Sequence, residues 1–391
     1  MLKFSFSEGL LTVFADGRID SNNAPEIEKE IFENAAGSNC ENIIFDAEKL
    51  EYISSAGLRV VLKMKKSYKD FKIINASAEV YDIFEMTGFT EILTVEKAYR
   101  KVSVDGCEVI GVGANGKVYR LDGETIIKVY INPDSLPYIH RERELARKAF
   151  VLGIPTAISY DVVKVGEGYG SVFEMLNAKS FAKLLKDEPE KMDEYVKLYV
   201  ELLRKIHSTK VEKNDMPSIK EYALEWASVA ATVFDKPIGD KLIKLFNEIP
   251  DRMNMIHGDY HVKNVLLQNG EVLLIDMDTL SFGHPIFELS SMFNAYVGFI
   301  EVTENMSETF LGVPYDTIKI FWNKVLRAYL DSEDEKYIKE IEDKAALIGY
   351  SRLIRRIINH RSHETPEGRR SLDIYKNHIL ELIDKVDTLD F

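Results

Sequence analysis

Three oxygen-bearing side chains in the second half of the chain have types and spacing suited to phosphate chemistry. Asp259 is followed five positions later by Asn264, and the apolar run Val272-Leu273-Leu274-Ile275 delivers Asp276 seventeen positions after Asp259. A hard divalent cation such as Mg2+ takes oxygen ligands of this kind. Asp276 is the candidate main ligand, and Asn264 a second through its amide oxygen. Asp259 is then left to orient an attacking hydroxyl and accept its proton. Asp278 either adds a ligand or opens the following loop. His257 and His261 stand four apart, a spacing that can serve zinc, but the residues between them form no metalloprotease signature. His257 is read as a hydrogen-bonding member of the loop, and Tyr260 and Val262 as its packing. His207 is read as a satisfied histidine at a helix end.

Phosphoryl transfer needs a cradle for the phosphates, metal ions and a group that positions the nucleophile. A candidate cradle is Gly111-Val112-Gly113-Ala114-Asn115-Gly116-Lys117-Val118, in which Gly111, Gly113 and Gly116 let backbone N–H groups approach phosphate oxygens. The same residues could form an ordinary glycine-rich hairpin turn. Dinucleotide-binding folds share the spacing but follow it with a helix. Here Asp122-Gly123 between alternating runs signals a hairpin instead. Lys128, flanked by apolar residues on the next strand, is either a phosphate-holding cation or an edge lysine facing solvent. Its candidate partner is Glu142, which shares the apolar stripe of Leu145, Ala146, Ala149 and Phe150, whereas Glu144 is placed to pair with Lys148 at i+4 on the surface. His257-Gly258-Asp259 followed by Asn264 is similar to the catalytic loop of kinases, with Gly258 where an arginine is usual.

The positioning elements follow from periodicity. Strands are expected at 2–6 and 10–15, joined by a Glu8-Gly9 turn, then a helix at 25–32, a strand at 42–46 and a helix at 57–68. A strand at 71–75 and a short helix at 79–86 complete a small α/β unit. After a polar stretch at 101–106 the pattern becomes strand-rich, at 108–111, 117–121 and 125–130. A helix at 141–152 and a strand at 169–176 follow. Beyond residue 179 the chain reads as mostly helical, apart from a loop-and-strand region at 255–280.

Residues 107–391 resemble the aminoglycoside phosphotransferase and choline kinase-like superfamily, on the glycine segment, Lys128, Glu142, His257-Gly258-Asp259, Asn264 and Ile275-Asp276. The resemblance implies a two-lobed, protein-kinase-like α+β fold, with a β-rich N-lobe at 107–177, a helical C-lobe at 178–391 and ATP in the crevice between lobes. It also implies a hinge at 173–176, with adenine meeting backbone groups of Glu174 and Leu176. Gly283-His284-Pro285-Ile286-Phe287-Glu288-Leu289 looks like that family's G-D-P-x-x-D-L segment. His284 and Glu288 depart at its two acidic positions, which puts the buried support of the catalytic loop in question.

Residues 1–100 resemble the STAS domain of anti-sigma-factor antagonists, an α/β fold, on the segment from Asp46 through Ile53-Ser54-Ser55-Ala56-Gly57-Leu58-Arg59. The usual pattern there is D-S-x-G-L, whose serine is phosphorylated by a partner kinase. Ser55 falls on that serine, and Ser54 stands where the aspartate usually is. A serine before a helix beginning near Ala56 is first of all an N-cap. The same helix end would also stabilise a phosphate. The domain plan is thus a STAS-like regulatory module at 1–100, a linker at 101–106 and a phosphotransferase at 107–391.

The whole chain sets the outer bounds. At about 100–200 residues per domain, its 391 residues predict two or three folded units. A formal net charge of −14 disfavours a nucleic-acid partner, since phosphate backbones demand a basic surface. It is compatible with cationic substrates, although an acidic balance mostly serves solubility. Two cysteines, Cys40 and Cys107, make no disulfide framework and suit a reducing cytoplasm. The first residues alternate like a strand rather than a signal peptide, and no apolar run approaches the ~18–20 residues of a membrane helix. The expected function is ATP- and Mg2+-dependent phosphoryl transfer to a small-molecule hydroxyl, with a protein partner for the first module. Two alternatives are a scaffold that only binds nucleotide and a protein kinase in partner switching with Ser55 as acceptor. One late stretch is basic, through Arg352, Arg355, Arg356, Arg361, Arg369 and Arg370; it either holds an anion or forms a solvated, ion-paired face.

Overall fold

A computed structural model of the chain describes every residue except Met1, Glu8, Asn39, Ala114 and Glu304. Glu8 of the expected first turn and Ala114 of the glycine segment therefore lie outside the described residues. The chain divides into two units, residues 1–103 with 162–167 and residues 104–161 with 168–391. Each has its own apolar core.

The first unit is a five-stranded sheet with helices. Strands β1 (Leu2–Ser7), β2 (Leu10–Ile19), β3 (Asn42–Ile53), β4 (Lys72–Ala76) and β5 (Thr94–Lys97) lie in sequence order. The first pair is antiparallel and the rest are parallel. The parallel steps need crossovers. Helices α1 (Ala24–Ser38), α2 (Ser55–Ser67) and α3 (Ala78–Met86) supply them. Both α1 and β3 run further than their apolar patterns suggest, β3 by seven residues. Val13, Ile43, Phe45 and Ile73 from the strands meet Ile31, Val61 and Met64 from the helices in the core.

The start of α2 corrects one expectation. The helix begins at Ser55 itself, and its N-cap is Ser54, whose hydroxyl accepts from the N–H groups of Ala56 and Gly57 at 3.2 and 3.5 Å. Two adjacent serines compete for one capping position, and the residue with extended backbone takes it. Ser55 is exposed in the first turn.

The second unit opens with an antiparallel sheet, β6 (Glu108–Val112), β7 (Gly116–Arg120), β8 (Thr125–Tyr130) and β10 (Gly168–Glu174), paired in that order. Helix α4 (Leu136–Val151) follows β8 and starts five residues earlier than expected, because Pro137 is tolerated in its first turn. Strand β9 (Asp161–Val165) has no counterpart among the expected strands, and its residues from 162 onward group with the first unit. The helical part comprises α5 (Phe181–Asp187), α6 (Met192–Ser208), α7 (Ile219–Ala231), α8 (Lys236–Asn247), α9 (Ile286–Phe293), α10 (Tyr315–Leu330), α11 (Glu335–Asn359) and α12 (Pro366–Leu382). Between α8 and α9, β13 (Val265–Gln268) and β14 (Glu271–Leu274) form a hairpin joined by β11 (Lys179–Ser180), while β12 (Asn254–Ile256) pairs with β15 (Ser281–Gly283). This places residues 257–264 and 275–280 as two loops set between short paired strands, over a core of Tyr199, Tyr260, Tyr296 and Phe321. Among the described residues no helix is long and apolar enough to cross a membrane.

Candidate active site

Lys128 lies on β8 with its side chain mostly buried. Its ammonium reaches Glu142 of α4 at 3.0 Å and Asp276 at 2.9 Å. Burial alone would lower its pKa, but the carboxylates of Glu142 and then Asp276 outweigh that and hold it above the ordinary lysine range. The sequence supplied Glu142 as partner through its place on the buried stripe of α4, and Glu144 pairs instead with Lys148 at 2.9 Å. Tyr130, which the sequence did not single out, donates to Glu142 at 2.8 Å and so fixes its second oxygen.

Asp259 lies across from this cluster on the first loop. Its carboxylate accepts from the amide nitrogen of Asn264 at 3.0 Å and faces His261 Nε2 at 3.4 Å. His261 Nδ1 accepts from the N–H of Lys263 at 3.3 Å, which leaves the proton on Nε2 to donate to Asp259. Burial would raise the pKa of Asp259, but His261, and behind it His257 and Arg352, hold it at about 2. Asp259 is thus ionised at neutral pH. Asn264 spends its amide nitrogen on Asp259, so its amide oxygen is the atom left for a cation. The backbone bond from Ile275 N–H to Asn264 C=O, 3.0 Å, ties the two loops together and brings Asp276 alongside.

The loop is held from below. Glu288, fully buried on α9, accepts from the N–H groups of His257 and Gly258 at 2.6 and 2.9 Å. The support that the two sequence departures put in question is therefore made by Glu288. His284, the other departure, donates from Nε2 to Asp390 at 2.9 Å while its Nδ1 accepts from Ile286 N–H. His257 acts as expected, accepting from Asp259 N–H at 3.3 Å. His207 Nδ1 bonds Tyr329 at 2.7 Å, and its Nε2 faces the buried Glu288 carboxylate at 3.8 Å.

Gly258 has φ +83°, and a Cβ there would stand 2.9 Å from the carbonyl oxygen of Thr279. In the glycine segment, a Cβ at Gly116 would strike the Val129 carbonyl at 2.3 Å, so that glycine is required by the sheet. Among the described residues, a Cβ at Gly111 or Gly113 would meet nothing closer than 3.5 Å, so none of them demands that these two positions be bare. That fits a cradle whose second wall is a phosphate. The loop's Asn115 donates to Asp278 at 3.1 Å, closing it over the acidic pair. Burial, then Asp276 and Glu142, push the Asp278 carboxyl up to about 7.

At the opposite end of β10, Met175 N–H is consumed by the carbonyl of Glu124 at 2.7 Å. Glu174 ends the strand, and the Leu176 N–H just beyond has no acceptor among the described residues. Of the basic stretch, Arg355 pairs with Glu225 at 3.0 Å and Arg361 with Glu364. Arg352 instead reaches back to the Gly258 carbonyl at 3.4 Å.

Residues 106–312 match the phosphotransferase enzyme family known as APH. The chain belongs to that family. Residues 2–103 match the STAS domain. In that region the chain is 32% identical over 92 residues to BtrV of Bordetella bronchiseptica, named as an anti-sigma factor antagonist; the match covers 22% of this chain and 78% of BtrV. Among solved structures, the GDP and kanamycin complex of the aminoglycoside phosphotransferase APH(2″)-IIIa is 12% identical, with a TM-score of 0.51, covering 77% of this chain and 98% of that one. An ADP-bound APH(2″)-Ib is 14% identical with a TM-score of 0.47, covering 80% and 99%. On these family matches the first unit is a STAS domain, the second has the kinase-like fold of the phosphotransferase family, and the chain is a kinase-type phosphotransferase.

Proposed function

We propose that the chain transfers the γ-phosphoryl group of ATP to a hydroxyl of a small molecule, under the control of its STAS domain. The observation that carries this reading is the convergence of Lys128, Glu142, Asp276, Asn264 and Asp259 within hydrogen-bond chains of 2.9–3.1 Å. The donor set suits Mg2+: an amide oxygen of Asn264 and a carboxylate oxygen of Asp276 are hard ligands, each with its other atom committed elsewhere. Bound Mg–ATP would supply the transferable group and the charge that offsets its oxygens. Lys128, kept charged by its two carboxylates, would hold the phosphates, with Gly111, Gly113 and Gly116 covering them. Glu174 C=O and Leu176 N–H would meet the base. Asp259 would align the acceptor hydroxyl and take its proton as the new O–P bond forms and the bond from the γ-phosphorus to the β–γ bridging oxygen breaks, releasing ADP. A carboxylate is a weak base toward an alcohol, so late proton transfer, as the oxygen commits to phosphorus, would accord with a loose transition state.

We further propose residues 1–100 as a regulatory module that binds a protein partner, with Ser55 as its modified position and residues 101–106 as the linker. The support is local: Ser54 does the capping, so the exposed Ser55 hydroxyl is spare. Calorimetric titration with ATP tests the nucleotide site. Binding that requires Mg2+, and that Asp276→Ala weakens about 10-fold or more, is expected; Mg2+-independent binding unaffected by Asp276→Ala contradicts it. Mass spectrometry after incubation with Mg–ATP, alone and with a partner kinase, tests Ser55, and an unmodified Ser55 in both removes that role.

A further inference from the structure

The second unit contains a cavity of about 740 Å³ that borders the catalytic loop at Gly258 and the glycine segment at Asn115. That is the size of a small-molecule site. None of Glu174, Leu176 or Lys128 lines it, so it lies clear of the proposed base position and meets the phosphate end only through Asn115 and Glu142. Its walls come from the start of α4, from α7, from residues 278–281 and from α11.

Three arginines converge on this cavity in a chain whose formal net charge is −14. Arg355 is neutralised by Glu225 at 3.0 Å. Arg141 and Arg352 have no carboxylate within 4 Å among the described residues. Arg141 donates to the Tyr222 hydroxyl at 3.2 Å, and Arg352 is held by the Gly258 carbonyl, the Ser291 hydroxyl and the face of Trp226 at 5.0 Å. The two carboxyl groups in the wall are already engaged, Glu142 by Lys128 and Tyr130, and Asp278 by Asn115.

Two hydroxyls sharpen the picture. Ser135 precedes α4 but makes no capping bond; it is 4% exposed and its hydroxyl has no hydrogen-bond partner among the described residues. Ser281 on β15 is 1% exposed and equally without a partner. Both line the cavity. Buried hydroxyls are rarely left unmet. Two of them beside two guanidinium groups with no carboxylate within 4 Å, and beside a helix N-terminus, describe a receptor for a polar anion.

We propose that this cavity is the acceptor site and that the acceptor is a small hydroxylated anion, carrying a phosphate or carboxylate, rather than a polycationic aminosugar. This rests on the phosphotransferase reading above. Arg141 and Arg352 grip the anionic group, Ser135 and Ser281 its remaining oxygens, and the free hydroxyl is presented beside Gly258 to Asp259.

The test is calorimetric titration of the full chain, with Mg–ADP present, using glycerol 3-phosphate, glucose 6-phosphate, lactate and kanamycin, with inorganic phosphate as competitor. At least one hydroxylated anion is expected to bind, displaced by phosphate and unaffected by kanamycin; the arm that binds separates the phosphate from the carboxylate class. Arg141→Gln and Arg352→Gln should each weaken it by about 10-fold or more, the scale of one charge-assisted hydrogen bond, while Mg–ADP affinity stays. Arg141 is exposed, so its variant serves if the Arg352 variant does not fold. Binding of kanamycin alone, no anion binding, or anion binding indifferent to both arginine variants overturns the proposal. Arginine-dependent anion binding without ADP release in the presence of Mg–ATP leaves this site standing and overturns the phosphotransfer reading instead.

Discussion

Gly258 occupies a position where kinases usually place an arginine, and the structure explains why a side chain is not accommodated: the backbone is left-handed and the Thr279 carbonyl stands 2.9 Å from any Cβ. A guanidinium nonetheless reaches the loop, from Arg352 on α11. No spacing rule links positions 94 residues apart, so this contact was illegible in the sequence, whereas Asp259, Asn264 and Asp276 could be read because their separation is local. Glu288 shows the same division. Its place in the motif was readable, but its reach to two backbone N–H groups was not. Glu288→Ala strands both donors in a fully buried site, each worth about 1–3 kcal/mol, so a loss of about 2–6 kcal/mol in urea unfolding is expected. A loss under about 1 kcal/mol would mean that the loop does not depend on that carboxylate.

Among the elements, those whose apolar residues repeat locally were legible: β8 coincides with the expected 125–130, and α3 begins one residue early. Boundaries governed by competition between neighbours were not. The paired serines at 54 and 55 show this, since both are good caps and only the backbone decides. Ser54→Ala is expected to cost about 1 kcal/mol of stability in the STAS domain, while the exposed Ser55→Ala should stay within about 0.5 kcal/mol. Chemical denaturation of the two variants measures this difference. Equal costs, or a larger one at Ser55, would return the cap to Ser55 and withdraw its spare hydroxyl. The early start of α4 also matters functionally, because it brings Ser135 and Tyr138 to the acceptor cavity.

For the whole molecule, the two family resemblances were readable from their motifs, but the long-range ties within the second unit were not. One such tie joins His284 to Asp390 and Arg252, with Lys344 on the Asp390 carbonyl. Burial, then Arg252, push His284 down to about 4, despite Asp390. Between that value and the ordinary histidine value of about 6.5, the unfolded chain binds the extra proton, so stability rises with pH. The contribution is complete above about pH 6.5 and is lost as pH falls toward 4, on the order of 3 kcal/mol in all. Glu288 and Asp390, both with lowered pKa, add further loss at more acid pH. The urea midpoint should therefore drop between pH 7 and pH 5, and His284→Asn should flatten that dependence. A midpoint level across this range contradicts the assignment.

The central claim is that Asp259 positions the acceptor hydroxyl in a phosphoryl-transfer site. Its most direct test is Mg–ATP-dependent ADP release with a bound hydroxyl acceptor, comparing the native chain with Asp259→Ala. A fall of about 10²-fold or more, with Mg–ADP affinity preserved, is the predicted result. Equal turnover in the two proteins would contradict it.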